Sequence, residues 1–159
     1  MRKLRTALSL PATDLALTGQ AALLLIGYAT LIRLFPPRHW RHRTPRIAPA
    51  RPARGDEPFR VRRALGRALR NLPFAPNCLP QALAARHLLH RRGVACALHV
   101  GACRDEAGAP RFHAWTIAGG LWVTGESDDG LFVPFALAAS TAPAPPCEPP
   151  ARLASPPAQ

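Results

Sequence analysis

The apolar positions of this chain change their period along its length, and each change marks an element. From Leu15 to Ile32 the residues are apolar apart from Thr18, Gln20 and Thr30, and Arg33 bounds the run. Ser9-Leu10-Pro11-Ala12-Thr13-Asp14 reads as a helix start, with Ser or Thr as cap and Asp14 in the first turn, where the dipole favours it. Pro36-Pro37 stops the helix, because proline lacks the N–H and clashes with the preceding turn. The run just reaches the length of a membrane span, for which about 20 residues are needed. Gly19, Gln20 and Gly27 lower its hydrophobicity, so a buried or interfacial helix is favoured over a span.

Arg38 to Pro58 is basic, proline-rich and aperiodic, and reads as a linker. From Phe59 the helical period returns: Phe59, Val61, Ala64, Leu65, Ala68, Leu69 and Leu72 share one stripe. Arg60, Arg62, Arg63, Arg67 and Arg70 cover the remaining surface and predict a solvated face, with anion binding by Arg62, Arg63 and Arg70 as the alternative. Pro73 to Asn77 breaks that helix and leads into Cys78. Pro80 suits the first turn of a new helix, and Arg91-Arg92-Gly93 closes it.

Strand periodicity follows. Val94, Cys96, Leu98 and Val100 alternate on one face, so Val94 to Val100 is a strand. Arg104 to Pro110 is a loop, Arg111 to Ile117 a second strand, and Gly119-Gly120 a tight hairpin turn into Leu121 to Thr124. Leu131 to Leu137 is a last strand or a short helix. Beyond Ser140 an Ala/Pro composition supports no packed core and predicts disorder. The sum is α+β, with helices on one side of an antiparallel sheet. The organisation is an N-terminal apolar helix (1–37), a linker (38–57), the core (58–138) and a tail (139–159).

Charge adds a preference for partners. The formal balance is +12, mostly arginine, which favours nucleic acid, an anionic membrane or an acidic peptide. The aromatic residues do not interleave with the basic ones as a single-strand platform needs, and no helix-turn-helix or zinc-finger spacing occurs. With no secretory signal read at the N-terminus, the four cysteines argue for a cytoplasmic chain with reduced thiols rather than a disulfide framework.

One thiol stands out. Cys78 falls where a helix begins, and a helix N-terminus offers orphan N–H groups and a positive dipole end that stabilise a thiolate. His113 falls inside a strand, on the same face as Trp115. A thiol at a helix start and an imidazole on a strand are the parts of a papain-like or transglutaminase-like nucleophile pair. A carboxylate that orients the imidazole completes such a set; Glu126 is favoured and Asp128 comes next. The Cys78 N–H is one oxyanion donor. Zinc is disfavoured: Cys96, His99, Cys103 and His113 contain no Cys-x-x-Cys pair, and Cys96 and His99 have opposite parity on one strand. His87 and His90 read as surface residues. No cofactor is implied.

Asn77-Cys78-Leu79-Pro80, then Leu88-Leu89-His90-Arg91-Arg92-Gly93-Val94, Leu98-His99-Val100-Gly101 and His113-Ala114-Trp115 resemble the lasso peptide biosynthesis B2 protein, a transglutaminase-like cysteine protease. Pro11-x-x-Asp14 with the leucine-rich helix, and Arg33-Leu34-Phe35-Pro36, resemble that family's leading segment. The likeness runs from about Leu8 to Phe135. It implies a core with the nucleophile at a helix N-terminus packed on an antiparallel sheet, Cys78 as nucleophile and His113 as general base and acid. It implies cleavage of a leader from a ribosomally made precursor peptide. The partners implied are a separate, B1-like leader-binding protein and an ATP-using lasso cyclase, with no nucleic acid and membrane contact not favoured. The sequence departs from the family at Thr116-Ile117-Ala118, neutral where an acid is frequent, at Glu126, where Asp is common, and at Gln81, where a basic residue is frequent. Two other readings stay open: acyl transfer to an amine, and a basic interaction protein in which Cys78 is merely buried.

Overall fold

The computed structural model describes residues 11–35, 55–104, 107–126 and 132–134. These comprise helices α1 (Ala12–Leu34), α2 (Glu57–Asn71) and α3 (Cys78–Arg91), and strands β1 (Ala97–Arg104), β2 (Pro110–Ala118), β3 (Leu121–Thr124) and β4 (Val133–Pro134). Helices with a small antiparallel sheet make the chain α+β. Most of the linker and the whole tail lie outside the described residues, as do Ser9 and Asp128.

The described residues divide between two compact units. The first lies within Met1–Leu98 and Ala114–Glu126. It holds the three helices, the later part of β2 and all of β3. Its core is Leu17, Ala21 and Leu25 of α1, Val61, Ala64, Leu65 and Ala68 of α2, Ala84, Ala85, Leu88 and Leu89 of α3, and Val123 of β3. The helices pack on one another, and α2 and α3 pack on β3.

The ends of these elements follow from local chemistry. Phe35 and Leu72, which close α1 and α2, have extended ψ angles of 126° and 144°. Each precedes a proline, which disfavours the helical conformation. α3 ends in a Schellman motif: Gly93 takes φ +67°, its N–H bonds to the His90 carbonyl, and the Val94 N–H bonds to the Leu89 carbonyl. At the other end of α1 the cap is Pro11, without a side-chain bond, and its carbonyl accepts the N–H of Asp14 and of Leu15. The expected Ser or Thr cap is thus replaced there by backbone alone.

β2 and β3 form the hairpin that Gly119-Gly120 signals. Both glycines have positive φ (57° and 79°), as a type I′ turn requires, and Ala118 pairs with Leu121. Thr116 pairs with Thr124 and Ile117 with Trp122, so Val123 is the extra residue of a bulge.

The second unit lies within His99–His113 and Ser127–Gln159. There β1 pairs antiparallel with β4, Gly101 opposite Pro134 and Ala102 opposite Val133. β1 begins at Ala97, three residues later than the alternation of Val94 to Val100 predicts, and its buried residues are Gly101, Ala102 and Cys103. Cys103 is fully buried and disulfide-bonded, against the expectation of reduced thiols. Pairing depends on geometry between distant residues, which cysteine spacing does not carry.

Candidate active site

Cys78 is the first residue of α3, with Asn77 as N-cap in an extended conformation (φ −61°, ψ 171°). Asn77 makes no side-chain capping bond, and its carbonyl receives the Gln81 N–H at 3.5 Å. The early N–H groups of a helix, that of Cys78 among them, lack intrahelical acceptors. The Cys78 thiol is free and half-buried.

Two contacts set the position of this helix start. Gln81 donates from Nε2 to the Pro76 carbonyl (2.8 Å), tying the loop that delivers Asn77 and Cys78 to the first turn of α3. Thr116, fully buried on β2, donates from Oγ1 to the Ala82 carbonyl at 3.0 Å. This bond pins β2 to α3. Neither was legible in the sequence: Gln81 stood out only as a departure from a family pattern, and Thr116 as a neutral residue.

Glu126 follows β3 in the same unit. Its carboxylate is exposed and ion-paired to the Arg62 guanidinium, which also donates to the Trp122 carbonyl at 3.0 Å. Gly125 before it has φ +69°, and a Cβ there would stand 2.7 Å from both the Ala114 carbonyl oxygen and the Trp115 Cβ. Only glycine lets the chain pass so close to β2 at this point. Trp115 itself is buried and stacks on Trp122, with ring centroids 6.0 Å apart.

His113 belongs to the second unit. It is half-buried on β2, and its ring lies 4.9 Å from that of Phe132, tilted by 33°. The Arg111 guanidinium covers the same Phe132 ring at 5.9 Å. Cys78 and Glu126 thus stand in one unit and His113 in the other.

A groove of about 570 Å³ opens in the first unit, between α2, the first turn of α3 and the end of β3. Arg62, Arg63 and Arg70 line one wall; Gln81, Trp122 and Glu126 line the rest. Phe59, expected in the apolar stripe of α2, is exposed on this side and lies beneath the Arg63 guanidinium at 5.8 Å. Arginine here is mostly not free surface. Arg60 bonds to Asp14 and Glu57, at 3.1 and 3.0 Å, and Arg67 to Thr18 at 3.1 Å. The hydrogen bond from Arg60 holds the Asp14 carboxyl below its ordinary range, and Asp14 in turn raises Arg60.

His87 is not the surface residue its position suggested. It is half-buried, and its Nδ1 shares a 3.1 Å hydrogen bond with the Tyr28 hydroxyl. Burial, then Arg91 and His90, push its pKa down. Burial also raises the Cys96 thiol, which makes it a poorer thiolate at neutral pH. Among the described residues no group of three His, Cys, Asp or Glu side chains is placed to hold a metal ion.

A sequence profile of the transglutaminase-like superfamily matches residues 22–136, more than half of the chain. The chain belongs to the transglutaminase-like superfamily. No curated protein and no solved structure matches it. The matched stretch takes in most of α1, all of α2, α3 and the strands, and every candidate site residue. Transglutaminase-like enzymes are generally cysteine-based, so membership points to cysteine protease or acyltransferase chemistry.

Proposed function

We propose that the protein is a cysteine peptidase that removes the leader from a ribosomally synthesised precursor during lasso peptide maturation. The observation that carries the reading is Cys78: a free, half-buried thiol at the first position of a 14-residue helix, in a chain of a superfamily built on cysteine chemistry. The lasso assignment rests on the motifs around Cys78 and His113.

In this reading the Cys78 sulfur attacks the carbonyl carbon of the scissile bond, with the Cys78 N–H as one donor to the developing oxyanion. The His113 imidazolium gives its proton to the leaving amine of the core peptide, and the leader remains as a thioester on sulfur. His113 then takes a proton from water, whose oxygen attacks the thioester and releases the leader carboxylate and the thiol. Glu126 or Asp128 orients the imidazole. For Glu126 that role uses the oxygen not held by Arg62. A separate leader-binding protein delivers the precursor, and a cyclase closes the ring.

Superfamily membership favours one second reading, capture of the same thioester by an amine in place of water. The products separate the two: a leader ending in a free acid, or a cross-link.

The test is mass spectrometry of a cognate precursor incubated with the protein and its leader-binding partner. Wild type releases the leader, and Cys78→Ala and His113→Ala do not. Release that survives Cys78→Ala overturns the cysteine mechanism.

A further inference from the structure

The groove beside α2 is lined by arginine side chains, which can hold carboxylates. Arg62 already holds one, that of Glu126. Arg63 and Arg70 line the same groove, are exposed, and have no acidic partner among the described residues. They stand seven residues apart on α2, two turns, which places their Cα atoms about 10 Å apart along the helix. A peptide in the polyproline II conformation has three residues per turn and rises about 3.1 Å per residue, so side chains three apart share one face about 9 Å apart.

Gly66 lies between them. Glycine inside a helix costs about 0.5–1 kcal/mol relative to alanine. Packing within the chain does not call for it: a Cβ there would meet only Arg70 Nη1, at an ordinary 3.5 Å. Gly66 lines the groove beneath the Arg70 guanidinium, where a longer side chain would compete with that group for space.

The aromatic residues in the groove decide between acidic partners. Trp122 is stacked on Trp115, and Arg63 covers Phe59. One face of each ring is taken in this way, which leaves less stacking surface for nucleobases. The rings supply apolar walls that desolvate a charged pair.

We propose that this groove binds an acidic peptide segment in the polyproline II conformation, with carboxylates about three residues apart on Arg63 and Arg70 and a third displacing Glu126 from Arg62. Gln81 lines the same groove and, through Pro76, holds the loop before Cys78, so the segment runs past the start of α3. As a statement about substrate the inference rests on the peptidase reading; as a statement about binding it does not depend on Cys78.

The test is fluorescence anisotropy with the full chain carrying Cys78→Ala and a labelled peptide bearing glutamates at every third position. Its glutamine counterpart serves as control. The glutamate peptide binds about tenfold tighter at low salt, and Arg63→Gln/Arg70→Gln removes that advantage. Arg33→Gln/Arg91→Gln, which lowers net charge equally outside the groove, leaves it in place. Gly66→Leu weakens binding severalfold while raising the melting temperature, an outcome that loss of folding cannot mimic. Glu126→Gln tightens binding, because Arg62 is released. Equal affinity for the two peptides, or equal losses in the two arginine pairs, overturns the proposal. So does tighter binding of a single-stranded oligonucleotide of the same charge. Peptide binding without leader release leaves the groove standing and the peptidase reading fallen; release without acidic preference does the reverse.

Discussion

Helices α1 and α3 are fixed in the first unit by opposite means. α1 is the longer and more apolar, with 23 residues, yet it buries only Leu17, Ala21 and Leu25. Leu15, Leu23, Ile26 and Leu34 remain exposed. Its polar side chains do much of the holding: Asp14 to Arg60 and Arg67, Thr18 to Arg67, Tyr28 to His87. α3 has 14 residues and buries seven of them, from Pro80 to Leu89. By length and composition α1 passes for a membrane span, but the ion pairs at its first turn tie it to α2. Hydropathy records what a helix could bury; the neighbours on each side decide what it does bury. The helix that starts at Cys78 is therefore the more deeply packed one, and packed elements hold functional groups more accurately than loops do.

The sharpest way to break this contrast is to cut equal volumes from the two helices at unequal depth. Leu88→Ala, at a site 1% exposed, removes core contacts and leaves a cavity, with an expected loss of about 2–5 kcal/mol in denaturant unfolding. Leu23→Ala, at a site 73% exposed, changes stability by no more than about 0.5 kcal/mol. Comparable losses would show that α1 is covered by something outside the described residues.

The polar fixings of α1 form the next test. Asp14→Asn takes the charge from both arginine pairs and lowers the melting temperature by less than Leu88→Ala does. Its share of stability has a defined pH window. The folded carboxyl is lowered, so the contribution is complete above the ordinary value of 3.8 and fades as pH falls through the lowered one. A melting temperature equal to wild type at pH 7 would show that the pairs are decoration. Smaller still is Gln81→Ala, which frees the Pro76 carbonyl and costs about 1 kcal/mol or less, while slowing any reaction at Cys78 through a loosened helix start. Unchanged turnover would remove Gln81 from the positioning of Cys78.

What the sequence showed and what it hid divide along the same line. α3 was readable from Cys78 to its glycine stop because its boundary signals, Pro80 and Gly93, are local. The hairpin was readable because two consecutive glycines admit few turns. β1 slid by three residues because Ala95 and Cys96, which precede it, are small and offer little side chain to pack on a sheet. The arginines of α2 read as a solvated face because their partners lie far off in the chain: Asp14 is 46 residues from Arg60 and Glu126 is 64 from Arg62. At the candidate site, Cys78 at a helix start and His113 on a strand were legible from pattern. The need for glycine at 125 carries no local signal, because it appears only when β2 lies against it. Asp128 lies outside the described residues, so the choice between the two acids rests on chemistry and on mutation.

His87 supplies the finest distinction between the helices, since it belongs to α3 but holds α1. Burial, with Arg91 and His90 nearby, lowers its pKa below the ordinary value of about 6.5. A histidine kept neutral by folding contributes fully above its unfolded pKa, and the contribution is lost as pH falls from there through the folded value. Protonation need not break the bond to Tyr28, because a protonated Nδ1 donates to the hydroxyl oxygen as readily as the neutral one accepts from it. The penalty is the buried charge itself. His87→Gln should therefore flatten the fall in stability between pH 7 and about pH 5.5, whereas Tyr28→Phe should lower stability by about 1 kcal/mol with the slope kept. The measurement is denaturant unfolding at several pH values for both variants and wild type. A slope that survives His87→Gln unchanged would place the acid sensitivity elsewhere. A slope lost in Tyr28→Phe would show that the hydroxyl, not the desolvation, sets the proton affinity of His87, and that α1 senses pH through its bond to α3.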